Sequence, residues 1–480
     1  MLKHSAAIVY LFVAVICCPV YSLCQDTATR LFTLKQCIET AVTNNLQVQQ
    51  SDLQMQTAEI NWKQAKTNLL PSISAFANHG INEGRGIDPT SNAFVNQQVN
   101  FASYGVNAGM RLFGGLAMQN TIRQNSLAYD ASKMDLQQNK DNTTLGVILA
   151  YLQVLSNMDL LTQSQNQVEV SKRQVERLEI LNKDGAIMPS LLSDLKGDLA
   201  NNQLTVISNQ NALESSKIAL CQLMNIDYRP SMQVEQLSID QFQPSYDATP
   251  DSIYAVSLRQ LALVRAAELR QRSAVKAVQV ARGNMYPTLS LTDGFNTNYS
   301  SATYNNLLLN TSDVASKDYV MINGTPTYVY KPQSSYLAQK VPYKTQLNDN
   351  LYNTVSLNLN IPLFNNFQYR NRVKLARIQQ KNTEYVLQTT KIQLKQSIEQ
   401  AYVNMTTSID RYKTLKDQQA AYSESFHSAE IRFNEGVINS VDYIIAKNNL
   451  DRTNINLIMA RYDYLLRTKV LDYYQNKPLW

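Results

Sequence analysis

The three histidines are the residues of this 480-residue chain best suited to acid–base or metal chemistry, and their spacing serves neither. His4 lies near the start, while His79 and His427 stand alone, without a second ligand at metal-site spacing. The segment EGRG (83–86) has turn glycines, but no strand-to-helix context follows it, so it is not a nucleotide fingerprint. No nucleophile motif is present, and no catalytic residue, metal ligand or cofactor is assigned. The net charge of +6 is spread along the chain without a basic stripe, which argues against a nucleic-acid partner. The spacing that carries information is apolar. In NTVSLNLNIPLFN (353–365), Val355, Leu357, Leu359, Ile361 and Leu363 fall on one side, with Ser356, Asn358 and Asn360 on the other. That is a strand with one apolar and one polar face.

The elements that must position such a strand are long. Gly (14) and Pro (13) are scarce, so turns are few. Tyr (27) outnumbers Phe (12), which suits rings that meet water or a membrane interface. Residues 1–24 read as an export signal: Lys3 and His4, then the apolar run AAIVYLFVAVICC (6–18), then small and polar residues. Cleavage falls after Ser22 or Cys24. Leu23 is large where lipoprotein signals carry a small residue, which disfavours a lipid anchor on Cys24. Cys37 and Cys221 then remain, too few for a disulfide framework. No later stretch approaches 18 apolar residues, so a membrane-embedded form of this chain must be a barrel.

The chain is written twice. NLLPSIS (68–74) returns as NMYPTLS (284–290), GMRLFGG (109–115) as LNIPLFNN (359–366), and EILNKDGAI (179–187) as EIRFNEGVI (430–438). Segments 33–70 and 249–286 align without gaps at a shift of 216 and read as helices. This divides the mature chain into a first repeat (25–224), a proline-bearing linker (225–250) and a second repeat (251–480). Each repeat runs helix, strand, loop, strand, very long helix, glycine, return helix. The strands are expected near 72–81, 99–112, 288–299 and 351–363, with Asp293 breaking the alternation of the third. The loops at 81–98 and 300–350 read as polar connections. The long helices carry a seven-residue repeat. From Leu394 the 4-3 spacing selects Ile398, Ala401, Met405, Ser408, Tyr412, Leu415, Gln419, Tyr422, Phe426, Ala429 and Phe433; at a shift of 251, Val147, Val154, Leu161, Val168 and Val175 form the matching lane. A repeat sustained this far means coiled-coil packing.

Glycines 185 and 436 end those helices at tips spanning 183–190 and 434–440. Ala186, Ile187, Met188, Val437 and Ile438 then place apolar side chains on exposed hairpin ends, which marks a contact surface. Four strands cannot close a barrel, and open edges are not tolerated in lipid. Two copies would supply eight strands and three would supply twelve.

The whole mature chain resembles the TolC-like outer-membrane efflux proteins. The resemblance rests on the duplicated element order, on LPSIS/YPTLS and LFGG/PLFNN, and on the Gly-centred tips. It implies a mainly α fold with a small β portion: a homotrimeric 12-stranded transmembrane β-barrel in the Gram-negative outer membrane, four strands per chain, continued by an antiparallel coiled-coil tunnel in the periplasm. It further implies a periplasmic adaptor and an inner-membrane pump of RND or ABC type as partners, outer-membrane lipid around the barrel, and passive conduction of drugs and toxic compounds. Carried onto this sequence, Gly185, Ala186, Ile187, Met188, Gly436, Val437, Ile438 and Asn439 match the adaptor-contact tips. Asp442 and Asp194 match acidic positions that constrict the tunnel, while Ile445 stands where a second acid would follow Asp442. Phe433 and Ile438 occupy positions that are polar and gating in the resemblance. The competing reading is a secreted coiled-coil scaffold or adhesin, which leaves the alternating strands unexplained.

Overall fold

The computed structural model describes residues 31–87, 92–96, 98–236, 246 and 248–478. The signal segment (1–24) and part of the linker (225–250) lie outside them. In chain order the elements are β1 (Leu31–Phe32), α1 (Leu34–Asn44), α2 (Leu46–Thr67), β2 (Ser72–Asn82), β3 (Arg85–Ile87), β4 (Phe94–Asn96), β5 (Val99–Gly114), α3 (Ala117–Lys183), α4 (Pro189–Met224) and β6 (Gln233–Val234). The second half follows with α5 (Pro250–Gln260), α6 (Ala262–Gly283), β7 (Thr288–Ser300), β8 (Tyr304–Ile322), β9 (Thr325–Lys340), α7 (Tyr343–Asp349), β10 (Tyr352–Asn360), α8 (Gln368–Asn434) and α9 (Ser440–Tyr474). The two long helices, α3 and α8, have 67 residues each.

Several expectations need correction. Each helix predicted over 33–70 and 249–286 is broken, at Asn45 and at Leu261, where the backbone turns extended. The breaks are 216 positions apart, the same shift that aligns the segments. Asn45 makes its own break: its side chain accepts from the N–H groups of Gln47 and Val48 and so caps α2. The fourth strand ends at Asn360, not 363, because Pro362 has no N–H to offer a ladder and Asn366 and Phe367 turn left-handed. The connection expected at 300–350 is a paired ribbon, β8–β9, followed by α7, and β3–β4 is a smaller ribbon within the first loop. Finally, α3 contains an 18-residue window of mean hydropathy 1.4, of which 56% is buried inside the protein, so it is apolar enough by composition to cross a membrane.

The chain divides into two compact units. One comprises the described residues within 1–52, 136–261 and 392–480 and contains that window. Val147, Ile148, Tyr151 and Leu155 of α3 pack there on Cys37 and Ile38 of α1, Leu220, Cys221 and Met224 of α4, and Leu465 of α9. Burial in this core explains the apolar run without lipid. Tyr151 donates to the carbonyls of Phe32 and Glu235, joining the ends of the parallel pair β1–β6 to the helices. Cys37 and Cys221 are both buried and free, and burial pushes the Cys37 thiol up to about 12.

The other unit, 53–135 and 262–391, holds the sheet, which is antiparallel throughout with the order β10-β7-β5-β2. Where β5 meets α3, Gly115 has φ +59° and lies so close to Gly283 that a Cβ would stand 2.2 Å from the Gly283 carbonyl oxygen. Only glycine fits that approach.

Candidate functional site

Cross-strand register sorts the sheet into two faces. On one, Leu357, Leu291 and Met110 form a row, beside Leu359–Leu289 and Phe295–Val106. On the other, Ser356 lies opposite Thr292 and Asn358 opposite Ser290, and the Asn358 amide donates to the Thr292 hydroxyl at 3.2 Å. The apolar side chains have no cover: Ile73, Val355, Leu357 and Leu359 are 61–72% exposed. Asp293 sits in the apolar face between Val355 and Ala108, and its Oδ1 has no hydrogen-bond partner among the described residues.

Aromatic rings bracket this face. At one end the Tyr104 and Tyr343 hydroxyls are 2.8 Å apart and Tyr299 packs on Tyr343 at 4.6 Å; near the other lie Phe113, Tyr286 and the Phe364–Phe367 pair. From Tyr104 to Phe113 the strand advances roughly 30 Å, which at the usual barrel tilt gives a band slightly over 20 Å tall. That matches the apolar belt and aromatic girdles of a transmembrane barrel.

The outer strands, β2 and β10, each pair on one side only. The helices of the same unit repeat the order. Trp62 of α2 stacks on Tyr129 of α3 at 5.7 Å, Ser273 of α6 donates to the Gln124 carbonyl of α3 at 3.0 Å, and Lys391 of α8 bonds Glu268 of α6 at 2.8 Å. The flanking helices α2 and α8 also carry exposed apolar residues at coiled-coil spacing: Leu53 and Ile60 on α2, Leu375, Ile378 and Tyr385 on α8. Sheet and helices are therefore unfinished along the same two flanks, where identical copies can close both layers.

At the far ends of α3 and α8, Gly185 (φ +70°) and Gly436 (φ +75°) close helices in the same way. The Ala186 N–H donates to the Leu181 carbonyl and the Val437 N–H to the Arg432 carbonyl, at 2.9 and 2.8 Å, the six-to-one bond of a Schellman cap. The apolar tip residues then divide. Ile187 and Ile438 pack back on a cluster of Val175, Leu178, Leu195, Phe433 and Tyr443, whereas Met188 (76%) and Val437 (64%) stay exposed. Phe433 stacks on Tyr443 at 4.6 Å. Between the tips lies a cleft of about 920 Å³ lined by Arg177, Leu181, Met188, Phe433 and Ile438 among others. Ala186 is exposed beside it, and Asn439 caps α9 by accepting from the Asp442 N–H at 2.9 Å. Asp442 is exposed in the first turn of α9, as is Ile445 one turn on. Asp194 is tied differently: it accepts the Ser440 hydroxyl at 3.0 Å and so links the starts of α4 and α9.

Sequence reasoning missed a buried charge cluster above the tips. Lys447 of α9 has a 3% exposed side chain and lies 3.1 Å from both Asp198 and Asp451. Asp198 also accepts from Ser171 and Asn202, at 3.2 and 3.1 Å. Burial raises the Asp451 carboxyl above the ordinary Asp range, against the pull of Lys447. The only signal was the Lys–Asp spacing of four, which normally marks a solvated helix face.

An apolar-banded sheet with two open edges, on a chain of long helical hairpins, defines one subunit's share of a membrane channel. Residues 37–225 and 255–472 match the outer membrane efflux protein family, and the chain belongs to that family. It is 22% identical over 459 residues to outer membrane protein TolC of Salmonella enteritidis, covering 93% of this chain and 82% of that protein. Among solved structures, CusC superposes with a TM-score of 0.74 at 14% identity, covering 93% of this chain and 92% of CusC. The Campylobacter jejuni CmeC outer membrane channel gives 0.72 at 17% identity, covering 93% and 87%. At such identities the superpositions establish the fold.

Proposed function

We propose that this chain is the outer-membrane channel of a tripartite efflux or secretion system, conducting small toxic molecules passively to the cell exterior. Three copies would pool four strands each into a 12-stranded barrel, with the helical part as a periplasmic conduit. Energy would come from an inner-membrane pump of RND or ABC type working through a periplasmic adaptor, and the channel itself would catalyse nothing. The observation that carries this reading is the sheet with an uncovered apolar face and two unpaired edges. In lipid each unsatisfied backbone group costs several kcal/mol, so the edges must pair with other copies.

The tips are the proposed adaptor contact: Gly185, Ala186, Ile187, Met188, Gly436, Val437, Ile438 and Asn439. In support, Met188 and Val437 stay exposed beside a cleft while Ile187 and Ile438 anchor the turns beneath them. Asp442 and Asp194 are the proposed constriction, where a ring of carboxylates would favour cations over anions. The connections between barrel strands would then face the cell exterior.

The test is threefold. Unboiled outer-membrane fractions should contain an SDS-resistant trimer, deletion should sensitise cells to a compound panel, and Met188→Asp with Val437→Asp should abolish complementation while leaving the trimer intact. A monomer that washes from membranes with salt would favour the scaffold reading instead.

A further inference from the structure

The ribbon β8–β9 is the largest paired element that no other part of the described chain covers. Its strands pair about the Asn323-Gly324 turn, and at about 3.3 Å per residue β8 runs roughly 60 Å. The base is fixed. Gln346, 2% exposed, accepts from the Ser300 N–H at 2.9 Å and donates to the carbonyls of Ser300 and Val341 at 3.0 Å each. Above that clamp nearly every side chain of both strands is exposed. A two-stranded ribbon with both faces bare and both edges unpaired is marginal in water.

Its two faces differ. By the register, Tyr304, Tyr319, Tyr328, Tyr330 and Tyr336, all the tyrosines of the ribbon, fall on one face. Tyr319 and Tyr328 meet edge-on at 6.3 Å, and the Thr311 and Ser334 hydroxyls of the same face are 3.0 Å apart. The opposite face mixes Val, Leu and Ile with Asn, Ser, Thr, Gln and Lys331, and carries no aromatic ring. A row of amphipathic rings on one side of a strand pair has the composition of a protein–protein contact.

We propose that this tyrosine face packs against the same ribbon of neighbouring copies, forming a collar on the outer rim of the pore; this rests on the trimeric channel reading above. Three observations select a second copy as the occupant. Through α7 the ribbon adjoins β10, the open edge at which a neighbour must pair, so the ribbons of a ring rise from one rim. Asp313, Lys317, Asp318, Lys331 and Lys340 leave a net charge of only +1, and Asp318 already pairs with Lys331, so repulsion between copies is weak. Because every ring lies on one face, ribbons related by a closed rotation can bury them together.

The test uses the purified full-length oligomer carrying Tyr330→Cys or, on the opposite face, Val329→Cys, oxidised mildly and read on boiled, non-reducing gels. The native Cys37 and Cys221 are both buried. Tyr330→Cys should link subunits covalently at least about tenfold more than Val329→Cys, as expected for a protected contact set against an open face. Replacing residues 305–339 by a short turn should lower the temperature at which the oligomer dissociates without abolishing the oligomer. An intact oligomer with no cross-link and an unchanged dissociation temperature would overturn the proposal. So would equal linking by both cysteines, which denies the face a role, or linking of Tyr330→Cys on intact cells only to a different protein. Absence of any oligomer would instead sink the channel reading itself.

Discussion

The long helices α3 and α8 are one rod built with two chemistries. Both have 67 residues, both follow two consecutive left-handed residues (Gly115 and Leu116, Asn366 and Phe367), and both end in a glycine cap. Positions 251 apart nonetheless hold Asn157 and Ser408, Ser164 and Leu415, Ser171 and Tyr422. In α3 buried valines such as Val147, Val154 and Val175 alternate with polar lane positions that are bonded to another helix: Asn157 donates to the Ala212 carbonyl at 3.0 Å, and Asn202 donates to Ser171 at 2.8 Å. In α8 the lane is mainly aliphatic and aromatic, from Leu394, Ile398 and Met405, all buried, down to Phe433, with Ser408 and Gln419 as its polar members. Hydrogen bonds between helices are satisfied in one alignment only, so the α3 lane fixes register, while the α8 lane grips through area. The same backbone thus carries a specific seam and an adhesive one.

Removing charge from the specific seam should have the largest effect. Lys447→Met leaves Asp198 and Asp451 buried without a cation, and about 3–5 kcal/mol of stability should be lost. Thermal melting of the helical circular dichroism would read this. A matching change at exposed Lys413 on α8 should stay within about 0.5 kcal/mol.

The two corners give the next contrast. Gly115→Ala drives a methyl into the Gly283 carbonyl and should cost about 1–3 kcal/mol, seen as a lower melting temperature of the oligomer. Asn366→Gly, at the equivalent left-handed position, should be neutral or stabilise by up to about 1 kcal/mol.

Serines test the seams directly. Ser171→Ala removes a bond from both Asp198 and Asn202 and should cost about 1–2 kcal/mol. Ser408→Ala, whose hydroxyl donates to the Met405 carbonyl of its own helix, should change stability by less than about 0.5 kcal/mol. Equal losses would erase the distinction between the lanes.

The smallest effect is in pH. Because burial raises the Asp451 carboxyl, the folded chain takes up that proton before the unfolded chain does. As pH falls through the raised value, this group favours the native state, until the unfolded carboxylate also protonates near its ordinary value of about 4. Asp451→Asn should therefore flatten the stability profile just above the ordinary Asp range, measured by melts across pH; an unchanged profile would deny the cluster its burial.

How far the sequence could be read depended on residue type. The α8 lane was legible because every 4-3 position from Leu394 to Phe433 is buried or half-buried and most are apolar. Only half of the α3 lane was found, since Ser164 and Ser171 sit in the seam but read as surface. The Asn323-Gly324 pair is the strongest short hairpin signal, yet Ser and Asn around it suggested a loop. Leu261 shows no break signal at all, because neither proline, glycine nor a capping side chain stands there.

Alternation, heptads, repeat and tip glycines were determined by the sequence itself, because they are local periodicities of backbone geometry. What only the folded chain decided is where unlike elements meet: the order β10-β7-β5-β2, the approach of Gly115 to Gly283, and the burial of Lys447 between two aspartates. Those contacts join residues far apart in the chain. Their energies depend on desolvation and on which surfaces are left without a partner, and no local pattern encodes either.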